Sequence, residues 1–157
     1  MNIQSLVVPL HAVLCLLLVI AAIGDLKARI IENWLTAIIA LLAPLLWFAL
    51  GYTIWPGMAI QLGIALAFFG LFTVFFALNV MGGGDVKLIG ALALWFPLLS
   101  TVRLLLLMSI IGGLLTLAYW IVHKVRKSEK ELEIPYGVAI ALAGLCVIYE
   151  RYLNHFG

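Results

Sequence analysis

A chain of 157 residues with 66% hydrophobic and 10% charged residues, and a mean hydropathy of +1.25, lies far outside the range of soluble globular domains. A formal net charge of +2 gives no electrostatic footprint for a nucleic acid. The composition therefore excludes a soluble enzyme or a DNA- or RNA-binding module, and leaves an integral membrane protein whose partner is the lipid bilayer.

Apolar runs near the length of a bilayer span, about 17 to 25 residues, fall at 6–24, 34–50, 56–80, 86–99, 104–122 and 134–149. The first has small residues at Ala21 and Ala22 but lacks the basic segment of a cleaved signal peptide, so it reads as a retained helix. Asp25 follows it directly, in Asp25-Leu26-Lys27-Ala28-Arg29-Ile30-Ile31-Glu32-Asn33. Asn33 is placed to cap the second helix. The third run carries Gly63 and Gly70, and the fifth Gly112-Gly113, positions expected to allow close helix packing. Between the third and fourth runs stands Met81-Gly82-Gly83-Gly84-Asp85-Val86-Lys87-Leu88. The fourth run is short, which points it toward protein and water instead of lipid. Segment 123–133, His-Lys-Val-Arg-Lys-Ser-Glu-Lys-Glu-Leu-Glu, reads as a solvated loop, and the sixth run opens on Pro135-Tyr136-Gly137. Little chain remains outside the runs. One helical domain over 1–157, with six transmembrane helices, is the expected architecture.

With the N-terminus outside, the cytoplasmic loops hold Lys27, Arg29, Lys87, Lys124, Arg126, Lys127 and Lys130, and only Arg103 and Arg151 fall on the far side. The positive-inside rule then predicts both termini outside. Cys15 and Cys146 lie in separate runs and form no C-x-x-C pair, so both read as packing residues. His11, His123 and His155 are scattered, and no metal site or cofactor is expected. Trp34, Trp47, Trp55, Trp95 and Trp120 fall near run ends, where tryptophan anchors to the interface.

The chain has two aspartates, Asp25 and Asp85, and this topology puts both on the cytoplasmic side. Intramembrane acids mark functional cavities, although helix capping and loop solvation account for the spacing equally well. Asp85 suits a helix N-terminus and Asp25 sits at a C-terminus, where the dipole opposes it. Two carboxyls close together in a low-dielectric pocket share a proton, and such a pair can act as general base and general acid on one water. Gly82, Gly83 and Gly84 would let the backbone turn and a peptide approach closely, or would simply form a flexible loop.

Taken together, these residues resemble a known family. Gly82-x-Gly84-Asp85 is similar to the GxGD signature of intramembrane aspartyl proteases, and Val86-Lys87-Leu88 resembles its continuation in type IV prepilin peptidases. The segment from Asp25 to Asn33 is similar to that family's stretch of an aspartate, basic residues and I-P-N, with Glu32 in place of the usual proline. Pro135-Tyr136-Gly137 resembles the P-x-G segment that opens the family's last helix and lies near the acid pair. The resemblance implies a GxGD-type fold with catalytic Asp25 and Asp85, site-shaping residues around them, no metal, and prepilin or pseudopilin substrates. Such substrates carry a short basic leader and a hydrophobic helix and are cut near the junction, at the cytoplasmic face of the inner membrane. Long members carry a cytoplasmic domain with paired C-x-x-C motifs associated with N-methylation. Its absence from this sequence resembles the short members that serve tight-adherence (Flp-type) pili, or the archaeal preflagellin peptidases.

Lys87 and Arg29 could orient acidic groups on a substrate, but snorkelling and topology explain them more simply. The rival from a different class is a proton- or cation-coupled transporter with the two acids as its relay. Acids at one face instead of the midplane, with no internal repeat, argue against it.

Overall fold

The computed structural model describes residues 3–126 and 134–156. A short helical turn at Ile3–Leu6 leads into α1 (Val7–Ala28), then α2 (Asn33–Ala49), a wide turn at Ile54–Met58, α3 (Ala59–Ala77), α4 (Gly83–Ala93), α5 (Leu98–Arg126) and α6 (Tyr136–Phe156). Every described element is helical. Three stretches, Val7–Ala28, Ile54–Ala77 and Leu98–Val125, are long and apolar enough to cross a membrane. The apolar α2 has 17 residues, and α4 has 11.

Each apolar run in the sequence has its helix, but the boundaries shift where capping chemistry decides them. The first helix runs past Asp25 to Ala28, because Arg29 takes a left-handed conformation (φ 56°) and its N–H bonds the Asp25 carbonyl at 3.0 Å, the closure that ends many helices. The fourth starts at Gly83, so Asp85 lies inside it, and stops at Ala93, well short of the run's end at Leu99. Pro97 supplies no N–H and disfavours a helical conformation at Phe96, which explains the stop. The fifth helix extends through His123, Lys124 and Arg126. That part of the basic segment is therefore helical instead of loop, and Lys127 and Lys130 lie outside the described residues.

The core forms around α4. Seven of its eleven residues are buried, against three of nineteen in α3. Leu88, Ile89 and Leu92 are fully buried and meet Leu14 and Leu18 of α1, Leu35, Ile39 and Leu46 of α2, Leu104 of α5 and Ile140 of α6 in one cluster. Around this axis α4 packs on α3, α2 and α6, α1 packs on α6 and α2, and α5 packs chiefly on α6.

Several smaller expectations are corrected. Trp34, Trp55 and Trp120 are exposed as interfacial anchors would be, but Trp47 and Trp95 are buried and donate indole N–H bonds to the Leu94 and Ile39 carbonyls, each at 2.8 Å. Tryptophan near a run's end can turn inward when a backbone carbonyl is placed to accept its indole N–H. Gly63, Gly70 and Gly113 face open space, whereas Gly112 lies against the Tyr136 ring. Close approach between α3 and α4 is instead made at Gly90, where a Cβ would come 2.7 Å from the Phe69 ring. Cys15 packs against the core, and Cys146 is exposed on α6.

Candidate active site

The two aspartates arrive from different directions. Asp25, only 6% exposed, sits in the last turn of α1. Its Oδ2 accepts the N–H of Val138, third residue of α6, at 3.1 Å. That N–H is one of the donors a helix leaves unpaired in its first turn, and it also leans on the Pro135 carbonyl at 3.3 Å. The positive end of α6 thus offsets the unfavourable end of α1 on which Asp25 stands. Asp85 is the third residue of α4 and half-buried. Its carboxyl turns back on Gly82, the residue that precedes the helix, as the third residue of a capping box does. Both carboxyls therefore serve helix N-termini, Asp85 its own and Asp25 that of α6. The two are also close enough for the charge of Asp25 to act on Asp85. The capping and paired-acid arrangements are one structure.

Ile31, 7% exposed, is the joint between the segments that carry the acids. A Cβ on Gly84 would stand 3.1 Å from the Ile31 Cβ, and a Cβ on Gly137 would stand 2.7 Å from the Ile31 Cδ1 and 2.9 Å from both Cγ and Oδ2 of Asp25. Gly83 meets the Phe76 ring in the same way, at 3.2 Å. The glycines at 83, 84 and 137 thus have a packing reason within the chain itself. A methyl group at 137 would push directly on an acid.

Asn33 does not cap α2. It is the first helical residue, Glu32 stands at the cap position without a side-chain bond, and the Asn33 Oδ1 accepts the Lys87 ammonium at 2.8 Å. Both side chains are exposed, two residues beyond Asp85 along α4. Arg29 stacks its guanidinium over the Tyr119 ring, 5.3 Å from its centre, and its Nη1 is buried without a hydrogen-bond partner among the described residues. Pro135 is buried, and Tyr136 is exposed with its hydroxyl 3.3 Å from that of Thr116. An apolar cleft of about 440 Å³, lined by Phe72, Phe75, Met81, Met108 and Tyr136, begins at the residues next to Gly82 and Gly137. The cleft's apolar surface thus begins one residue from Gly82 and one residue from Gly137.

The structure brings together Asp25, Asp85, Gly84 and Gly137, sets Lys87 on Asn33 beside them, and places Tyr136 at the cleft. Sequence reasoning missed Ile31 and Val138. Ile31 stands in the segment that follows Asp25 beside the exposed Leu26 and Ile30, so its residue type alone does not mark it as the buried one. Val138 acts through its backbone, which side-chain identity does not announce.

Residues 12–117, the larger part of the chain and a stretch including both acids, match the family model described as the type IV leader peptidase family. The chain belongs to that family. A curated member, described as a prepilin leader peptidase/N-methyltransferase from Xanthomonas campestris pv. campestris, is 29% identical over 145 residues, which cover 86% of this chain and 47% of the relative. The chain thus spans about half the length of that leader peptidase. No solved structure matches it. Pro135, Tyr136 and Gly137 lie beyond the matched stretch, and within this chain the geometry of Gly137 and Val138 ties this part of α6 to Asp25.

Proposed function

We propose that this leader-peptidase family member is a membrane-embedded aspartic endopeptidase of the GxGD type. In this reading it removes a short basic leader from prepilin-like substrates at the cytoplasmic face of the inner membrane, in the service of Flp-type pili. Six helices span the bilayer with both termini outside, and Asp25 and Asp85 are the catalytic pair. The observation that carries the reading is that Asp25, tied to the N-terminal turn of α6, acts by its charge on Asp85 at the start of α4, with an apolar cleft beginning at neighbouring residues. A substrate with a hydrophobic helix would lay apolar surface along that cleft and bring the junction with its leader to the acids.

The chemistry follows from two carboxyls that hold one proton between them. The ionised carboxyl takes a proton from water, and the resulting oxygen bonds to the scissile carbonyl carbon. The protonated carboxyl meanwhile polarises the carbonyl oxygen. Collapse of the tetrahedral intermediate breaks the C–N bond, and a proton passes to the leaving amine. Incubation of the purified protein in detergent with a prepilin should yield a product shortened by the leader. Intact prepilin after full incubation, with the protein folded, would remove the peptidase reading.

A further inference from the structure

The far end of α4 is held with more donors than a helix end ordinarily receives. Gln61, on the first turn of α3 and 4% exposed, donates from Nε2 toward three carbonyls, those of Ala93 at 2.8 Å, Leu94 at 3.4 Å and Phe96 at 2.7 Å. Trp47 of α2 donates to the Leu94 carbonyl at 2.8 Å, and Thr101 of α5 donates to that of Phe96 at 2.9 Å. Trp95 returns a bond to the Ile39 carbonyl of α2. Three helices therefore each send one donor to the same few residues. Carbonyls at the end of a helix surrounded by apolar side chains need partners, since no water reaches them there. Satisfying them does not require partners from three directions.

What three directions achieve is a fixed position. Donors from α2, α3 and α5 at Ala93, Leu94 and Phe96 oppose sliding of α4 along its axis and rotation about it. From Ala93 to Asp85 is eight residues of continuous helix, roughly 12 Å at 1.5 Å per residue, so a shift at the anchored end is carried to the acid. Near the acid, α4 meets its neighbours through Gly83 and Gly84, through the buried Val86 and through the exposed Lys87–Asn33 bond, so most of its polar ties to other helices lie at the far end.

We propose that Gln61 is a positioning residue that sets the height of α4, and through it the spacing of Asp85 from Asp25. The assignment rests on the reading of the two acids as a working pair. A displacement of about 1 Å in a reacting group costs on the order of a hundredfold in rate, so the device acts on turnover more than on binding.

Two measurements on the full chain test it. In a background with Cys15 and Cys146 replaced by Ser, cysteines at positions 25 and 85 are treated in membranes with thiol cross-linkers of graded length. The length giving the highest yield reports the spacing without any cleavage. Gln61→Leu, which keeps bulk and removes the donors, should shift that preferred length or flatten the dependence on it. Separately, with Asp25 and Asp85 intact, Gln61→Leu at matched folded levels should lower kcat for prepilin processing about tenfold or more while KM stays within about twofold. Trp47→Phe, which keeps most of the ring and removes one donor, should move both readouts in the same direction by less, and it carries the test if Gln61→Leu fails to insert. An unchanged cross-linking pattern, or an unchanged kcat, overturns the positioning role. A wild-type protein that cleaves nothing would instead overturn the peptidase reading and leave the cross-linking result to decide the anchor.

Discussion

Asp25 closes a 22-residue helix whose dipole opposes its charge, whereas Asp85 opens an 11-residue helix whose dipole favours it. The first is buried and tied through Oδ2 to the backbone of another helix; the second is half-buried and turned back on its own. One acid is therefore part of what joins α1 to α6. The other depends on where α4 is held. Two identical side chains that the proposed reaction would use together are positioned by different means, and their substitutions should separate along that line.

The largest effect is expected where the proposed chemistry makes them equal. Asp25→Asn and Asp85→Asn should each reduce prepilin processing by at least about a hundredfold at matched membrane levels, and the double variant should be little worse, because residues that act as a unit are not additive. Near-normal processing by either single variant would leave the pair without a shared function. The same pairing predicts a bell-shaped pH profile. Activity falls on the acid side as both carboxyls become protonated and the base is lost, and on the alkaline side as both ionise and the acid is lost. A rate that rises monotonically across the range would break the pair.

Stability should separate the two acids. Asp25→Ala leaves the Val138 N–H without its carboxylate acceptor and should cost about 1 to 3 kcal/mol. Asp85→Ala removes only a reach back to Gly82 at an accessible helix start and should cost no more than about 1 kcal/mol. Thermal unfolding in detergent measures both, and equal losses would erase the contrast.

The glycines sharpen it further. Gly137→Ala places a methyl group on Asp25 and Ile31 together and should lower both stability and activity, by about 1 to 3 kcal/mol in stability. Gly84→Ala meets only Ile31, chiefly its Cβ, so the added variant Ile31→Gly should recover part of its loss, whereas at Gly137 it should recover less because Asp25 remains in the way. Thermal unfolding and prepilin processing of the single and double variants give the comparison, and equal recovery at both glycines would remove Asp25 from the account. The smallest effect belongs to the exposed pair: Lys87→Ala and Asn33→Ala should each cost less than about 1 kcal/mol in unfolding free energy. Their double variant should cost no more than either, since one bond is lost in all three.

Much of this molecule was legible before its structure. Six apolar runs gave six helices because hydrophobic length is a strong signal in a membrane chain, and the two aspartates stood out because acids are rare there. What escaped notice lay in backbone partners. Periodicity does not reveal that the Leu94 and Ala93 carbonyls take donors from Trp47 and Gln61, or that Ile39 offers its carbonyl to Trp95, so both tryptophans read as interfacial and Gln61 as one polar residue in an apolar run. The same reason hid Val138. Asn33 looked like a cap because its type favours caps, yet a lysine 54 positions away took its side chain instead. The glycine run suggested either close approach of a peptide or a flexible loop, and the structure packs Gly84 on Ile31 and Gly83 on Phe76.

The brevity of α4 also bears on how such a protein is made. Eleven helical residues cover about 16 Å, roughly half of a bilayer's hydrocarbon thickness, and the first turn carries Asp85 with Lys87 close behind. A segment of that kind has too little apolar length to partition into lipid by itself as it leaves the ribosome. Its burial depends on surfaces that α2, α3 and α6 already present, so α4 takes its place only once those neighbours are in the membrane. The proposed active site is then among the last parts of the molecule to assemble, and an acid pair that comes together only in the nearly finished bundle is inert in every earlier form of the chain.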